Sequence, residues 1–408
     1  MDAGVEVTEL FRNSDLLVRS VRPPPGQDRH PGAVVVTFDS YNDRRQLDRL
    51  GFGERFLLSR GVRAIHVISR DNDWYQYAEM AAACSAIREA VAGVTHILTY
   101  GSSMGAYAAI RFADWVGATS VLALSPQYSI HRRRMPDEIR WRQEAQRIKF
   151  RNEIDGTIRS RVAPFVVFDP FSLDGVHADR IAADIPINKV ALPGAGHPVG
   201  TCLNELGLLE DMVFDVLEGR CNPHEAEKTF RRLRPRSSAI WVSIADKQPL
   251  HRKRTALRLA RRAAQITPDS DLVLLQLGRW LSANGEHEAA VETMRRAAEK
   301  SGRNPSFLHP LSVVLEAAGD REGALAIARE HLEACPGVGI CYAWMADLLQ
   351  RSGRSAEALD YAKKAAKLDA AFTGIAIAIR MSMNPMWRSV EPYAFTLGSL
   401  MQRLRRLR

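Results

Sequence analysis

The 408-residue chain is predicted to fold as an α/β domain followed by an all-α domain. Over the first half, short apolar runs alternate with helix-forming runs, which is typical of a parallel sheet covered by helices. Over the second half, small residues recur every 34 residues, the length of a two-helix repeat unit. The chain is long enough for each half to form its own core.

Six apolar runs in the first half are predicted to be strands. They span residues 34–38, 62–68, 96–100, 120–124, 165–168 and 188–192. Because the alternation with helices favours a doubly wound parallel sheet, we expect functional side chains where the strands end at their carboxyl termini.

The segment Gly101-Ser102-Ser103-Met104-Gly105 lies between the third predicted strand and a helix-forming run. A serine at a sharp turn from strand to helix, with a glycine two residues to either side, is typical of an exposed nucleophile. The missing Cβ atoms allow the backbone to pass close to the turn. Ser103 is therefore the predicted nucleophile, and a glycine-rich turn without chemistry is the alternative.

A serine nucleophile needs a base, and the base needs an acid that fixes its tautomer. His197 follows the last predicted strand on a glycine-rich loop and is the predicted base. The loop after residues 165–168 carries two carboxylates, of which Asp174 is preferred as the acid because a mid-loop position reaches the histidine more readily. Asp169 is the alternative acid. His177 is expected to be a solvated or capping histidine.

An oxyanion site would use backbone amides, one after the nucleophile and one in the loop after an early strand. These positions correspond to Met104 and to Asp39 in the segment 38–40. Because only the N–H groups act, their side chains carry no signal.

Together these residues resemble the α/β-hydrolase family, over about residues 15–219. The resemblance implies a nucleophile at Ser103, a base at His197, an acid at Asp174 and an oxyanion donor at Met104. The sequence departs from the family where residues 38–40 replace the usual His-Gly start, and where the acid loop lacks a glycine before the aspartate.

The resemblance also implies a helical cap inserted at about residues 126–160. This segment is basic, with aromatic residues among its arginines. It is predicted either to recruit an anionic or amphiphilic substrate or to form a solvated helical face that pairs with its own glutamates. The loop 71–75 is expected to line the same pocket or to cap a helix before packed aromatic residues.

The repeats of the second half are marked by two sets of small residues. The alanines are Ala256, Ala290, Ala324 and Ala358, and the glycines are Gly285, Gly319 and Gly353. Residues 252–368 thereby resemble the tetratricopeptide family, in which a small residue permits close contact of helices and a glycine separates them. The resemblance implies a concave surface for a protein partner. A rigid spacer or a dimerisation module is the alternative.

The predicted domains follow from these motifs: a hydrolase domain at 1–220, a basic linker at 221–250, tetratricopeptide repeats at 251–370, and a capping helix with a basic tail at 371–408. The net charge of +9 arises mainly in the second half. It flanks the repeats, so it indicates anionic partners or surfaces more than substrate. The tail 403–408 predicts only weak, salt-sensitive membrane contact, and no motif indicates nucleic acid.

Composition limits the remaining function classes. No apolar run is long enough to span a membrane and no signal segment is evident, so a cytoplasmic location is expected. The five cysteines lack paired CxxC spacing, which predicts a reducing compartment and no zinc site. No cofactor is expected.

The sequence thus predicts a serine hydrolase that acts on an ester or thioester, positioned by a protein-binding repeat domain. An acyltransferase with the same triad is one alternative. A non-catalytic adaptor that uses a hydrolase fold as a scaffold is the other.

Overall fold

The computed structural model describes residues 4–42, 46–151, 157–368 and 372–383. It divides into two compact units, and the division falls between Ser243 and Ile244. Among the described helices, none combines the length and apolar composition that crossing a membrane requires.

The described part of the first unit contains an eight-stranded sheet. Its strands are β1 Glu6–Arg12, β2 Leu16–Arg22, β3 Ala33–Phe38, β4 Ala64–Ser69, β5 His96–Ser102, β6 Ser120–Leu124, β7 Phe165–Phe168 and β8 Asn188–Ala191. Their order across the sheet is β1-β2-β4-β3-β5-β6-β7-β8. β2 pairs antiparallel with both β1 and β4, whereas β4, β3 and β5 to β8 run parallel.

The six predicted strands are all present, as β3 to β8. The two antiparallel strands β1 and β2 were not predicted. β1 is largely exposed and carries no apolar run, while β2 is interrupted by Arg19, whose guanidinium pairs with Glu54 from 35 residues further along the chain. A strand stabilised by so distant an ion pair has no local signal.

Helices accompany the sheet. They are α1 Glu54–Ser59, α2 Met80–Ala90, α3 Met104–Arg111, α4 Ala113–Val116, α5 Arg142–Arg147, α6 Leu173–Asp184, α7 Val199–Glu205, α8 Leu209–Leu217, α9 Pro223–Leu233 and α10 Ser238–Asp246. Strands β3 and β4 are buried along almost their whole length, as expected when a parallel sheet is covered on both faces. The core joins this sheet to α2, α3 and α6.

The inserted segment 126–160 differs from the predicted helical cap. Its described residues contain one short helix, α5, and otherwise form turns and irregular chain. α5 has no buried residue of its own and no side-chain cap. A run dominated by charge lacks the apolar periodicity that longer helices need for packing, which explains why the segment is mostly irregular.

The second unit is an array of helices. They are α11 Lys253–Ile266, α12 Asp271–Asn284, α13 His287–Lys300, α14 Pro305–Ala317, α15 Arg321–Ala334, α16 Gly339–Arg351, α17 Ser355–Leu368 and α18 Thr373–Met383. The four repeat alanines are fully buried on α11, α13, α15 and α17. The three repeat glycines adopt left-handed φ angles of 79° to 88° between helices. The predicted 34-residue register is therefore confirmed.

Ser312 is the polar residue that stands where the repeat pattern favours a small apolar one. Its hydroxyl is buried, donates to the Ala324 carbonyl at 3.0 Å and accepts from the Trp344 indole at 3.2 Å. Both bonds join α14 to neighbouring helices, so the departure from the pattern leaves no unsatisfied polar group.

The basic linker and the capping helix predicted on either side of the repeats both contain helices. Residues 221–250 contain α9 and α10, and most of this range belongs to the first unit. Beyond α17, α18 contributes Ile375 and Ile379 to the core of the array. The predicted basic tail lies outside the described residues.

Candidate active site

Ser103 lies at the turn between β5 and α3, at the centre of the sheet. Its φ of 53° and ψ of −117° are unusual for a residue with a side chain. A Cβ on Gly101 would lie 2.3 Å from the Gly105 backbone, and a Cβ on Gly105 would lie 2.2 Å from the Phe38 carbonyl oxygen. The two glycines therefore permit the close approach of α3 to β3 and β5 that the bent serine requires.

The structure brings Ser103, His197 and Asp174 together from three loops. Ser103 Oγ lies 3.0 Å from His197 Nε2, and His197 Nδ1 lies 2.8 Å from Asp174 Oδ2. Ser103 and Asp174 are buried, whereas about a fifth of the His197 side chain is exposed. These three side chains have the order and distances of a nucleophile, its base and the acid that orients the base.

Asp174 belongs to the first turn of α6, and Ser172 caps the helix by accepting from the Asp174 amide. This cap fixes the backbone that carries the carboxylate. Burial raises the pKa of Asp174, but the hydrogen bond with His197 and the charges of His197 and Arg140 outweigh it, so that the pKa is lowered overall. The carboxylate is thus held ionised against the imidazole.

Asp169, the alternative acid, has a different role in the structure. Its Oδ1 accepts from the amides of Phe171 and Gly194 at 3.0 and 3.1 Å, and its Oδ2 accepts from the Gly196 amide at 3.0 Å. Gly194 and Gly196 belong to the loop that carries His197. Asp169 therefore fixes this loop through its backbone, while Asp174 contacts the imidazole itself.

A second histidine and carboxylate lie close to the first pair. His177 Nδ1 accepts from the Tyr128 amide at 3.0 Å, and its Nε2 lies 2.9 Å from Glu138 Oε2. His177 is fully buried, so its expected solvated or capping position is wrong. No local pattern indicates this pair, because Glu138 lies 39 residues away, in the inserted segment.

Arg140 connects the two pairs. Its guanidinium donates to Asp174 Oδ1 at 2.9 Å and makes a forked contact with Glu138 at 2.6 to 3.1 Å. Burial favours a raised pKa for Glu138, but hydrogen bonds from His177 and Arg140 and the charge of Arg140 lower it to about 2. The inserted segment thus supplies the cation that neutralises two buried carboxylates.

Of the two predicted oxyanion donors, the Met104 amide has no acceptor within its helix, whereas the Asp39 amide is already hydrogen-bonded within the sheet. Met104 opens α3, where first-turn amides have no acceptor within the helix. The Asp39 amide instead donates to the Val67 carbonyl at 3.4 Å, in line with the β3 and β4 pairing. The Asp39 carboxylate pairs with Arg49 at 2.5 Å, and burial outweighs that pairing and raises its pKa to about 6.

Gln127 is a site residue that sequence reasoning missed. Its Nε2 donates to Ser103 Oγ at 3.0 Å, and its Oε1 accepts from the Trp74 indole at 3.1 Å. The indole fixes which end of the amide faces Ser103. Gln127 lies three residues beyond Leu124, the last residue of β6. This position after a parallel strand was the signal available, although a glutamine in a turn has no motif of its own.

Aromatic side chains border this site. Trp74 belongs to the loop 71–75, which forms turns, and α2 starts only at Met80. The Trp141 ring lies 5.3 Å from the Trp74 ring and 4.8 Å from the Tyr41 ring, measured between centroids. Trp141 of the inserted segment thus packs with Trp74, the residue that hydrogen-bonds to Gln127.

Other features of the first unit lie apart from these residues. A cavity of about 1220 Å³ beside β1, β2 and α1 is lined by Arg19, Glu54 and Leu58 among others, and its lining does not include the triad residues. Cys202 is buried on α7, and burial raises the pKa of its thiol to about 11. A thiol with so high a pKa is a poor nucleophile at neutral pH.

Comparisons with known proteins give structural neighbours only. No protein-family model and no curated protein matches the chain. One similar solved structure is TTC0263, a thermophilic TPR protein of Thermus thermophilus, with 20% identity over 44% of this chain and 97% of that one, at a TM-score of 0.33. Another is YrrB, a TPR protein with an unusual peptide-binding site, with 14% identity over 40% and 84% and a TM-score of 0.31. MamA from Desulfovibrio magneticus RS-1 has 15% identity over 42% and 94%, with a TM-score of 0.32.

Proposed function

We propose that the first unit is a serine hydrolase that cleaves an ester or thioester. The observation that supports this most is the continuous hydrogen-bonded chain from Ser103 Oγ through His197 to Asp174. A strained serine between two sterically required glycines adds to it, because backbone strain of this kind clusters at functional sites.

The proposed reaction has two steps. Ser103 Oγ attacks the acyl carbonyl carbon as His197 Nε2 takes the hydroxyl proton, and Asp174 stabilises the resulting imidazolium. His197 then returns the proton to the departing alcohol or thiol, which leaves an acyl-enzyme. Water repeats the sequence in the second step, with His197 as the base, and releases the carboxylic acid and free Ser103. An alcohol in place of water would give the transfer reaction with the same residues.

Two groups are proposed to stabilise the tetrahedral intermediate. The Met104 amide is one, because it opens a helix beside the nucleophile. The side-chain amide of Gln127 is the other, because its N–H lies 3.0 Å from Ser103 Oγ and therefore close to where the substrate's carbonyl oxygen would become negatively charged. Gln127 takes the place that the sequence assigned to the Asp39 amide, which donates to a sheet carbonyl in this structure.

A fluorophosphonate probe tests the nucleophile directly. The purified chain is expected to be labelled at one serine, and Ser103→Ala is expected to abolish labelling. Ser102→Ala is the matched control because Ser102 is the adjacent buried serine and makes no contact with His197 among those described. Absence of labelling in the wild-type chain, or its persistence in Ser103→Ala, would overturn the proposal.

An adaptor is the second candidate function. It is favoured by the helical array of the second unit, because stacked helix pairs form extended surfaces that bind other proteins. The two candidates differ in a genetic test. A cell that lacks this protein would be rescued by Ser103→Ala if the adaptor function is sufficient, and would not be rescued if hydrolysis is required. Protein levels of the variant and of Ser102→Ala are the control.

A further inference from the structure

The second unit brings three metal-binding side chains together at one turn. His331 lies in the last turn of α15, Cys335 caps that helix, and Cys341 lies in the first turn of α16. One ligand atom from each lies within 4.8 Å of the other two. We infer that His331, Cys335 and Cys341 bind a zinc ion that joins the end of α15 to the start of α16.

The distances suit a tetrahedral zinc site after small movements. Zinc bonds of about 2.3 Å to sulfur and about 2.0 Å to nitrogen place neighbouring ligand atoms about 3.5 to 3.8 Å apart. His331 Nε2 and Cys341 Sγ are 3.8 Å apart, which already meets this requirement. Cys335 is half-buried at the helix end, so the proposed site needs only a change of its side-chain rotamer to bring its sulfur from within 4.8 Å of the other ligand atoms to bonding distance of the ion.

The turn that holds the ligands is fixed by its own hydrogen bonds. The Val338 amide donates to the Cys335 carbonyl at 3.2 Å, and the Cys341 amide donates to the Val338 carbonyl at 3.1 Å. The Tyr342 hydroxyl donates to the Pro336 carbonyl at 3.1 Å. Because the backbone between the two cysteines is ordered before any ion arrives, binding loses less conformational entropy.

The charge balance also favours zinc at this position. Cys341 is 4% exposed, and the other two ligands are half-buried. A divalent ion bound by two thiolates and a neutral imidazole has no net charge, so a partly buried site has only a small desolvation penalty. Three protein ligands leave the fourth tetrahedral position to a water molecule. Soft sulfur ligands select zinc over magnesium or calcium, which prefer oxygen.

The cysteine spacing explains why the sequence predicted no zinc site. The ligands follow the pattern His-x3-Cys-x5-Cys, which matches no paired CxxC motif. The helix end and the turn between α15 and α16, rather than a short loop motif, bring the three side chains together. The inference does not depend on the proposed hydrolase activity, which belongs to the first unit.

Metal binding to the full chain is the test. The reduced protein is titrated with zinc in competition with a coloured chelator, and with cobalt to record the absorption of cobalt–thiolate bonds. One ion per chain is expected, with the charge-transfer absorption of two thiolates. Cys335→Ser, Cys341→Ser and His331→Gln are each expected to weaken binding at least about 100-fold, because even groups that only orient a ligand contribute 10- to 100-fold.

Cys221→Ser is the matched control, since Cys221 is also partly exposed but lies in the first unit. It should leave the affinity and the cobalt spectrum unchanged. Cys335→Ser keeps the test valid if the more buried Cys341→Ser fails to fold. The inference is overturned if zinc does not bind the reduced chain stoichiometrically, or if the ligand variants bind as tightly as the wild-type chain.

Discussion

Two histidine–carboxylate pairs lie side by side in the first unit, and they differ in what the histidine meets on its far side. His197 pairs with Asp174 and faces the Ser103 hydroxyl, while His177 pairs with Glu138 and faces the Tyr128 amide. A backbone amide is a donor that never gives up its proton at ordinary pH, so His177 Nδ1 is fixed as an acceptor. A serine hydroxyl is a donor whose proton a base can take.

Solvent access separates the two pairs in the same way. His177 and Glu138 are fully shielded, whereas 19% of the His197 side chain is exposed. A buried pair without a reactive third group stabilises the fold. A pair whose histidine is partly exposed and lies beside a hydroxyl is suited to proton transfer. The group on the far side of the histidine and its access to solvent, rather than the histidine–carboxylate contact, therefore mark the candidate catalytic site.

Replacing His197 and His177 in turn should distinguish the catalytic pair from the stabilising pair with the largest effects. His197→Ala is expected to lower hydrolysis by about 10⁴- to 10⁶-fold, the loss seen when a catalytic base is removed. Its loss of free energy of unfolding is expected to be smaller than that of His177→Ala, because water can reach the partly exposed position of the imidazole and hydrogen-bond to Asp174. His177→Ala is expected to lower the free energy of unfolding by about 3 kcal/mol, because it leaves Glu138 buried with one partner fewer. Ester hydrolysis and urea denaturation of both variants provide the measurement.

The opposite pattern would contradict this assignment. If His177→Ala stays fully folded and loses hydrolysis as severely as His197→Ala, then the buried pair takes part in the reaction. Circular dichroism of each variant, recorded at the assay temperature, separates loss of fold from loss of chemistry.

The sequence predicted the parts of this site that have local signals. Ser103 and His197 stand in turns at the carboxyl ends of parallel strands, and glycines mark both turns, so a parallel sheet was enough to predict their neighbourhood. Gln127, Glu138 and Arg140 have no such signal. Their roles depend on side-chain contacts that span 24 to 39 residues, and a single sequence does not show which polar residues of an insertion fold inward.

The elements of the fold also divide into those with a local sequence signal and those without one. The six parallel strands and the 34-residue repeat follow from periodicity that is readable over a few residues or at a fixed interval. β1 and β2 were missed because an exposed strand and a strand interrupted by the half-buried Arg19 lack an apolar run. The grouping of His331, Cys335 and Cys341 has no sequence signal, because a helix end, and not a motif, sets their spacing.

Replacing Asp174 or Asp169 should give the next largest difference in hydrolysis. Asp174→Asn is expected to lower hydrolysis by about 10⁴-fold, because an amide favours the wrong imidazole tautomer. Asp169→Asn keeps one carbonyl oxygen for the loop amides and should lower hydrolysis far less, with the loss arising from a looser His197 loop. Steady-state kinetics of the two variants measures both effects. Equal losses would mean that the contact seen between Asp174 and His197 does not set the tautomer.

The buried pair predicts how stability depends on pH. The pKa of Glu138 is lowered from an ordinary 4.5 to about 2 in the folded chain, so its contribution of about 3 kcal/mol is complete above pH 5 and is lost as the pH falls towards 2. Glu138→Gln removes this contribution. The difference in free energy of unfolding between wild type and Glu138→Gln should therefore shrink from pH 5 to pH 2.5. A difference that stays constant over this range would show that Glu138 does not titrate with the fold.

Arg140 predicts the smallest effect, because it acts on the reaction only through Asp174. Arg140→Met removes the donor to Asp174 Oδ1, so the carboxylate is less firmly oriented towards His197, and the rate of fluorophosphonate labelling should fall about tenfold, a cost typical of losing a group that orients another. Arg140→Lys keeps the charge but loses the fork that reaches both carboxylates, so it should recover part of the rate. If Arg140→Met is labelled as fast as wild type, or if its loss equals the fraction of chain unfolded by circular dichroism, Arg140 stabilises the insertion without positioning the acid.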